Sequence, residues 1–339
     1  MSRPSTTGAG PNRPTMADVA RVAGVSLKTV SRVVNHVPTV DPALTERVLA
    51  AVSELGFRRN DMARSLRSRS TSGTIGLVID EDLANPFYSS LAAGAAECAL
   101  DHNAMLLTAT SGEDGDRERG LVMEMCERRV GGLLVVPAGG DQTYLRVEIE
   151  AGTPVVFIDR PPVNVRADNV LIDNAQGARS AIDYLVARGH ERIGVLADRL
   201  TIYTMRERLS AAETAMERAG LPYRPDLIRD GLHTVPDTQA AVERMLASPE
   251  PPTALFTLTN RLTLGALGVL SRSGGDVAIV GFDDFEAAAL VPHPLTVVSS
   301  DAREMGRVAA ELLFRRIDGE QSRPRTIVVP TTLVERGNG

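Results

Sequence analysis

The sequence predicts an α/β protein. A three-helix helix-turn-helix head and a short hinge helix precede a core of two doubly wound parallel-sheet subdomains. Three observations lead there. Thr15 to Asn35 reads as two short helices about a glycine turn. From Thr74 onward, near-continuous apolar runs alternate with amphipathic segments. Charge also divides between the two parts. Residues 1–75 hold eleven Lys plus Arg and five Asp plus Glu, a balance of +6; with −6 overall, the remainder carries −12. A basic head on an acidic body fits a partner that presents phosphates.

The elements follow in order. MSRPSTTGAGPNRP lacks an apolar segment of the signal-peptide type and reads as a disordered tail. Thr15 caps a first helix, and Asp18 three residues on completes a capping box. Val19, Ala20, Val22 and Ala23 give that helix one apolar face, and Gly24 ends it where positive φ costs little. Ser26 opens a second helix whose Val30, Val33 and Val34 turn back onto the first. Lys28 (the chain's only lysine), Thr29, Ser31, Arg32 and Asn35 are left as phosphate and base-edge donors. An α-hairpin at a domain edge would share this pattern, so the context has to decide. Asp41-Pro42 starts a third helix with a stripe of Leu44, Val48, Leu49, Val52 and Leu55, ending at Gly56. Asn60 to Ser68 can form one more helix, too short to stand alone.

Beyond Thr74 the strand-like runs are TIGLVI, AMLLTA, GLLVVP, PVVFID, RIGVLA, TALFTL and VAIVGF. Amphipathic segments separate them, at 86–102, 117–129, 175–188, 206–219, 238–247 and 263–272. Apolar strands alternating with helices mean parallel sheets covered on both faces, here two of five or six strands each. Ligands in such sheets sit beyond the carboxyl ends of the strands, where Asn85, Asp159-Arg160, Arg206, Asn260 and Asp283-Asp284 cluster. No run of about 18 apolar residues suggests a membrane span. Cys98 and Cys126 lie singly in helical patterns, which argues against a disulfide or metal framework and for a cytoplasmic protein. No P-loop, dinucleotide fingerprint, G-x-S-x-G turn or metal-spaced His/Cys set is present, so no catalytic residue, metal or cofactor is expected.

The motifs TMADVARVAGVSLKTVSRVVN, RVLAAVSELGFRRNDMARSLR, NPFY, PVVFIDR, RGHERIGVLA, RERL and VAIVGFDD follow one another in a specific order and spacing. Through them the chain resembles the lactose-repressor (LacI/GalR) family of transcription regulators, from Thr15 to about Arg336. The resemblance implies a DNA-binding domain over 15–59, a hinge helix over 60–72, and a periplasmic-binding-protein-like core over 73–337. Within the core it implies a first subdomain of about 73–172 plus 297–330 and a second of about 173–296 plus the C-terminal residues, joined by three crossovers. It further implies a homodimer or dimer of dimers on double-stranded operator DNA, with a small effector in the cleft. No heptad pattern follows the last strands, which favours the dimer and leaves a tetramer through other contacts open.

By the family pattern Leu27, Lys28 and Arg32 read bases. Arg32 suits guanine O6 and N7, and Leu27 a thymine methyl. Thr15, Ser26, Thr29, Ser31 and Asn35 suit phosphates, capping being the plainer role of Thr15 and Ser26. Ala63, Leu66 and Arg67 match the hinge helix, with Leu66 a minor-groove wedge. The family's effector contacts map to Phe87, Asp159, Arg206, Asn260 and Asp283, and an often aromatic position to His233. Arg261 stands where the family usually has aspartate; with His233 it would suit an anionic effector, or it is simply a surface arginine. A sugar-like effector is the family default. The implied function is a repressor that a small molecule releases or engages, the alternative being a DNA-binding regulator whose cleft no longer senses a ligand.

Overall fold

The structure, a computed structural model, describes residues 14–34, 37, 39–57, 73–273 and 276–336. Asn35 and the expected hinge residues Ala63, Leu66 and Arg67 lie outside the described residues. The chain divides into two compact units, Met1–Ser70 and Thr71–Gly339. No helix among the described residues is long and apolar enough to cross a membrane.

The N-terminal unit packs α1 (Met16–Ala23), α2 (Leu27–Val34) and α3 (Pro42–Leu55) around Val19, Ala23, Val30, Val33, Val48 and Ala51. Local chemistry sets each boundary. The Thr15 backbone N–H and hydroxyl donate to Asp18 Oδ2 at 3.0 and 2.7 Å, closing the capping box that starts α1. Gly24 and Gly56 end α1 and α3 at φ 61° and 62°, in the left-handed region that glycine tolerates. Asp41 Oδ1 accepts from the Ala43 and Leu44 amides and starts α3. Arg47 Nη2 reaches back 2.6 Å to the Ala23 carbonyl, tying α3 to the end of α1. Two expected core positions face solvent instead, Val22 at 38% exposure and Leu49 at 51%, and Ala51 fills the place next to Val48.

The larger unit holds two six-stranded sheets. The first is built from β1 (Thr74–Ile79), β2 (Met105–Thr110), β3 (Leu133–Val135), β4 (Val155–Ile158), β5 (Asp168–Ile172) and β11 (Thr326–Val329), in the order β11-β5-β4-β3-β1-β2. The second has β6 (Ile193–Leu196), β7 (Ile228–Arg229), β8 (Ala254–Thr257), β9 (Ala278–Phe282), β10 (Leu295–Ser300) and β12 (Thr331–Arg336), in the order β12-β10-β9-β8-β6-β7. All pairings are parallel except that of β12 with β10. Helices α4 (Pro86–Asp101), α5 (Gly115–Glu127), α6 (Arg146–Glu150) and α11 (Ala302–Ile317) go with the first sheet. Helices α7 (Asn174–Ala187), α8 (Tyr203–Arg218), α9 (Val235–Leu246) and α10 (Asn260–Ser273) go with the second.

The chain passes between the sheets after Ile172, after Ser300 and at Pro330. The second passage moves the expected boundary at 297 to after Ser300, because the whole of β10, Leu295–Ser300, pairs with β12 in the second sheet. In the first subdomain α4 and α11 touch backbone to backbone: a Cβ on Gly94 would lie 1.9 Å from the Arg303 carbonyl oxygen. Beyond strands β1, β4, β6, β8 and β9 come Glu81, Asp159-Arg160, Asp198, Thr259-Asn260-Arg261 and Asp283, and these polar residues line one cleft between the sheets.

Candidate nucleic-acid interface and ligand cleft

Helix α2 is buried along one face and exposed along the other. Val30 and Val33 are fully or nearly buried, while Leu27 at 54%, Lys28 and Arg32 stand exposed. That division follows from the 3.6-residue period, with 30 and 33 on one side and 28 and 32 on another. Ser26 Oγ accepts from the Thr29 amide at 3.1 Å and meets the Thr29 hydroxyl at 2.9 Å, so the cap is internally bonded. Thr29 and Ser31 are half-buried. Thr15 directs its donors to Asp18, whose carboxyl these bonds hold at about 2, below the usual carboxylate range. Capping is therefore the role the geometry gives Thr15.

In the cleft the structure brings Phe87, Asp159, Asn260 and Asp283 together, with His233 at the rim. Asp159 and Asp283 take the same unusual backbone, φ 66° at each, just past a strand in its own sheet. Left-handed backbone at a residue other than glycine costs about 1–3 kcal/mol, and here both such aspartates line the cleft. Asp159 is 4% exposed, and no group among the described residues bonds its Oδ1. Burial pushes its carboxyl up to about 6, against the pull of Arg160 and Arg208. Beneath it Arg160 pairs with the buried Asp80. Phe87 is 9% exposed and meets Tyr88 edge-on at 5.1 Å, so it is both a core residue and part of the cleft wall.

Arg206 is not in the cleft, and Arg208 is. Arg206 is exposed and donates to the Leu200 and Thr201 carbonyls at 2.9 Å each. Arg208 is 3% exposed and bonds Asp283 Oδ2 at 2.8 Å, Asn174 Oδ1 at 2.7 Å and the Leu258 carbonyl at 2.7 Å. Its guanidinium lies 3.6 Å from the Phe282 ring centroid. The reason is helix phase: Thr204, Met205, Arg208 and Leu209 share the inward face of α8, and residue 206 points about 200° from residue 204. Asp284 is taken by Arg336 at 2.7 and 2.8 Å, which leaves Asp283 as the cleft carboxylate.

Glu81, Glu113, Asp198 and Arg199 complete the cleft, and the sequence reading did not include them. Arg261 pairs with Glu81, and Arg199 with Glu113. His233 Nδ1 sits 3.1 Å from Asp198 Oδ2. Donor atoms of Glu113, Asp198 and His233 lie within 4.8 Å of one another, as a metal site would need, but the Arg199 guanidinium is bonded among them and supplies the cation. The remaining cavity is about 50 Å³.

Residues 15–60 match the model for bacterial regulatory proteins of the lacI family, and residues 182–337 the model for a periplasmic binding protein-like domain. The chain is 35% identical to the HTH-type transcriptional regulator CelR of Thermobifida fusca, over 96% of this chain and 98% of that one. It is 30% identical to the HTH-type transcriptional repressor PurR of Aliivibrio salmonicida, over 95% and 98%. Among solved structures it resembles a CelR–cellobiose complex with TM-score 0.71 and 33% identity, over 96% of this chain and 100% of that one. It also resembles a lac repressor dimer bound to operator and an anti-inducer, with TM-score 0.83 and 27% identity, over 96% and 98%. With its helix-turn-helix head, its two-sheet core and these full-length likenesses, the chain belongs to the LacI family of bacterial regulatory proteins and is a DNA-binding transcriptional regulator, not an enzyme.

Proposed function

We propose that the protein is an effector-gated repressor which binds a near-palindromic operator as a dimer. The observation that carries the DNA half is α2, with Leu27, Lys28 and Arg32 exposed opposite a buried valine face. Arg32 would pair with guanine, Lys28 with guanine or phosphate, and Leu27 with a thymine methyl. Leu66, flanked by Arg64 and Arg67, would wedge into the minor groove at the operator centre. Selecting binding sites from random duplex DNA with the full-length protein tests this; the enriched sites should be inverted repeats.

The cleft supports a neutral ligand rich in hydroxyl donors. Asp159 Oδ1 is an acceptor in want of a donor, while Arg160, Arg199, Arg208 and Arg261 are each already paired with a carboxylate. An anion at the floor of the cleft would have to break the Arg160–Asp80 or the Arg208–Asp283 pair, so the floor does not favour an anionic effector. A sugar fits the donor pattern, and a CelR relative is known with cellobiose. Effector binding would move the subdomains and change operator affinity by a coupling of about 1–3 kcal/mol. The alternative, a cleft that no longer senses, draws on the small cavity; a ligand that raises the melting temperature and is lost on Asp159→Asn separates the two.

For the dimer, Leu83, Leu264 and Leu290 are 40%, 46% and 83% exposed, and the segment 285–290 carries an apolar surface beside them. Such a patch suits a second copy of the chain.

A further inference from the structure

A groove of about 640 Å³ opens on the second subdomain, away from the cleft. Its floor is Ile193 at the start of β6, Met216 on α8, Leu221, and Leu227 and Ile228 where the chain enters β7. Ile193 and Leu227 belong to the packed core, while Met216, Leu221 and Ile228 are only half covered. One wall is α8. Ser210, Glu213, Thr214 and Glu217 recur at the spacing that puts side chains on one helix face, and all four line the groove. At 1.5 Å per residue that face is about 10 Å long. The turn 221–224 forms another wall, with Tyr223 standing 71% exposed.

The charges are one-sided. The side chains of Glu191, Glu213 and Glu217 have no ion-pair partner among the described residues. Arg224, the one cation among the described lining residues, is already engaged: Nε and Nη2 bond Asp226 at 2.9 and 2.7 Å, and Nη1 bonds Glu250 Oε2 at 2.8 Å. The groove is therefore apolar at its floor and negative at its rim. Such a rim repels nucleic acid, and a small cation in an open groove would cover little of the apolar floor. A helical segment of two or three turns, apolar along one face with Lys or Arg beside it, matches the groove in length, floor and charge.

The groove also shares two elements with the cleft. Strand β6 and helix α8 carry Ile193 and Glu217 at the groove and Asp198 and Arg208 at the cleft, about 14–17 Å away by strand and helix rise. It is thus a separate site built on the frame that holds Arg208.

We infer that this groove docks a basic, amphipathic helical segment of a partner protein. The segment's apolar residues fill the floor over Leu221 and Ile228, its Lys or Arg pair with Glu191, Glu213 and Glu217, and Tyr223 packs along its side. The inference stands apart from any reading of the cleft.

Selection of displayed random peptides, about 12 residues long, on the immobilised full-length chain tests this. Enriched peptides should carry apolar residues at i, i+3 or i+4 spacing and more than one Lys or Arg, and fluorescence anisotropy then gives their affinity. Glu213→Lys with Glu217→Lys should weaken binding at least about tenfold, and Tyr223→Ala about three- to tenfold. Raising NaCl from about 0.05 to 0.5 M should weaken it as well, as the Debye length shrinks. Glu127→Lys, at an exposed position of the first subdomain, should change it less than about twofold. Circular dichroism melting separates a lost site from a lost fold; Glu217 and Tyr223 are exposed, so Glu217→Lys with Tyr223→Ala serves where Glu213→Lys disturbs folding. A library that yields no binder, binders without Lys or Arg, or binding that the double charge reversal leaves intact would overturn the inference. So would an equal loss from Glu127→Lys, since the acidic body alone would then attract the peptide. Self-association in sedimentation velocity that the double charge reversal abolishes would make a second copy the occupant, and overturn it too.

Discussion

Arg208 gives the sharpest test of how the cleft is built. Replacing it with alanine removes the fork bonded to Asp283, Asn174 and the Leu258 carbonyl, and leaves Asp283, with a side chain 12% exposed, without its ion-pair partner among the described residues. Breaking a buried pair by removing one partner costs about 3–5 kcal/mol. The bonds to Asn174 and Leu258 are part of that figure, since the same guanidinium makes them all. At roughly 2–4 °C per kcal/mol for a domain of this size, the core should melt about 6–20 °C lower. Arg208→Lys keeps a charge without the planar fork and should fall between the two. Arg206→Ala is the control: its side chain is exposed and bonds two turn carbonyls, so a change within about 0.5 kcal/mol is expected. Urea unfolding followed by circular dichroism measures all three. If Arg206→Ala cost as much as Arg208→Ala, the assignment of the cleft arginine by helix phase would be wrong.

Other consequences follow from the same geometry. Arg32→Ala should weaken binding to a selected site and remove about 1–3 kcal/mol of discrimination at one base pair, read by fluorescence anisotropy on single-base variants. Asp159 titrates near 6 when folded, against 3.8 for the free side chain, so the folded state holds the proton more tightly and the residue costs stability as pH rises from about 4 to 6. Asp159→Asn should accordingly stabilise the core at pH 7.5, by up to about 3 kcal/mol, with the gain gone below pH 4; urea midpoints against pH check it. Gly94→Ala would put a methyl 1.9 Å from the Arg303 carbonyl oxygen and force α4 from α11, with an expected loss of about 1–3 kcal/mol or more in thermal unfolding. Leu290→Glu should shift the sedimentation equilibrium from dimer toward monomer while leaving the fold intact by circular dichroism.

What was legible in the sequence was what local chemistry dictates. The Thr15–Asp18 box, the Asp41-Pro42 start and the glycine stops each act over a few residues, so the three head helices could be placed closely. Six of the seven strands read from sequence are runs with consecutive buried residues, and the seventh, β2, is an edge strand of apolar residues that are only partly covered. Of the five passed over, β7 has two residues, β5 begins with Asp168-Asn169, and β11 and β12 lie at sheet edges with mixed burial, whereas β10 has four buried residues in a row and was passed over all the same. The pairing of β11 is fixed by β5, about 150 residues away, and that of β12 by the last crossover, and no local pattern encodes either. Arg208 was missed because RERL offers two arginines and the resemblance was carried onto the first, Arg206, while α8, with Ile202 before it and no capping side chain, gives no local mark of its phase. Counting back from the apolar positions Met205, Leu209 and Ala212 would have found it. Glu81 and Glu113 could not be found so, since their partners Arg261 and Arg199 are joined to them only by the closing of two subdomains.

The most direct test of the account is a thermal-shift screen of the full-length protein against neutral sugars, sugar phosphates, nucleosides and small acids, repeated on Asp159→Asn. A neutral, hydroxyl-rich compound should stabilise the protein, and Asp159→Asn should abolish or sharply weaken that response. Stabilisation by anions alone, a response that survives loss of the Asp159 carboxylate, or silence across the panel would contradict an effector site built around it.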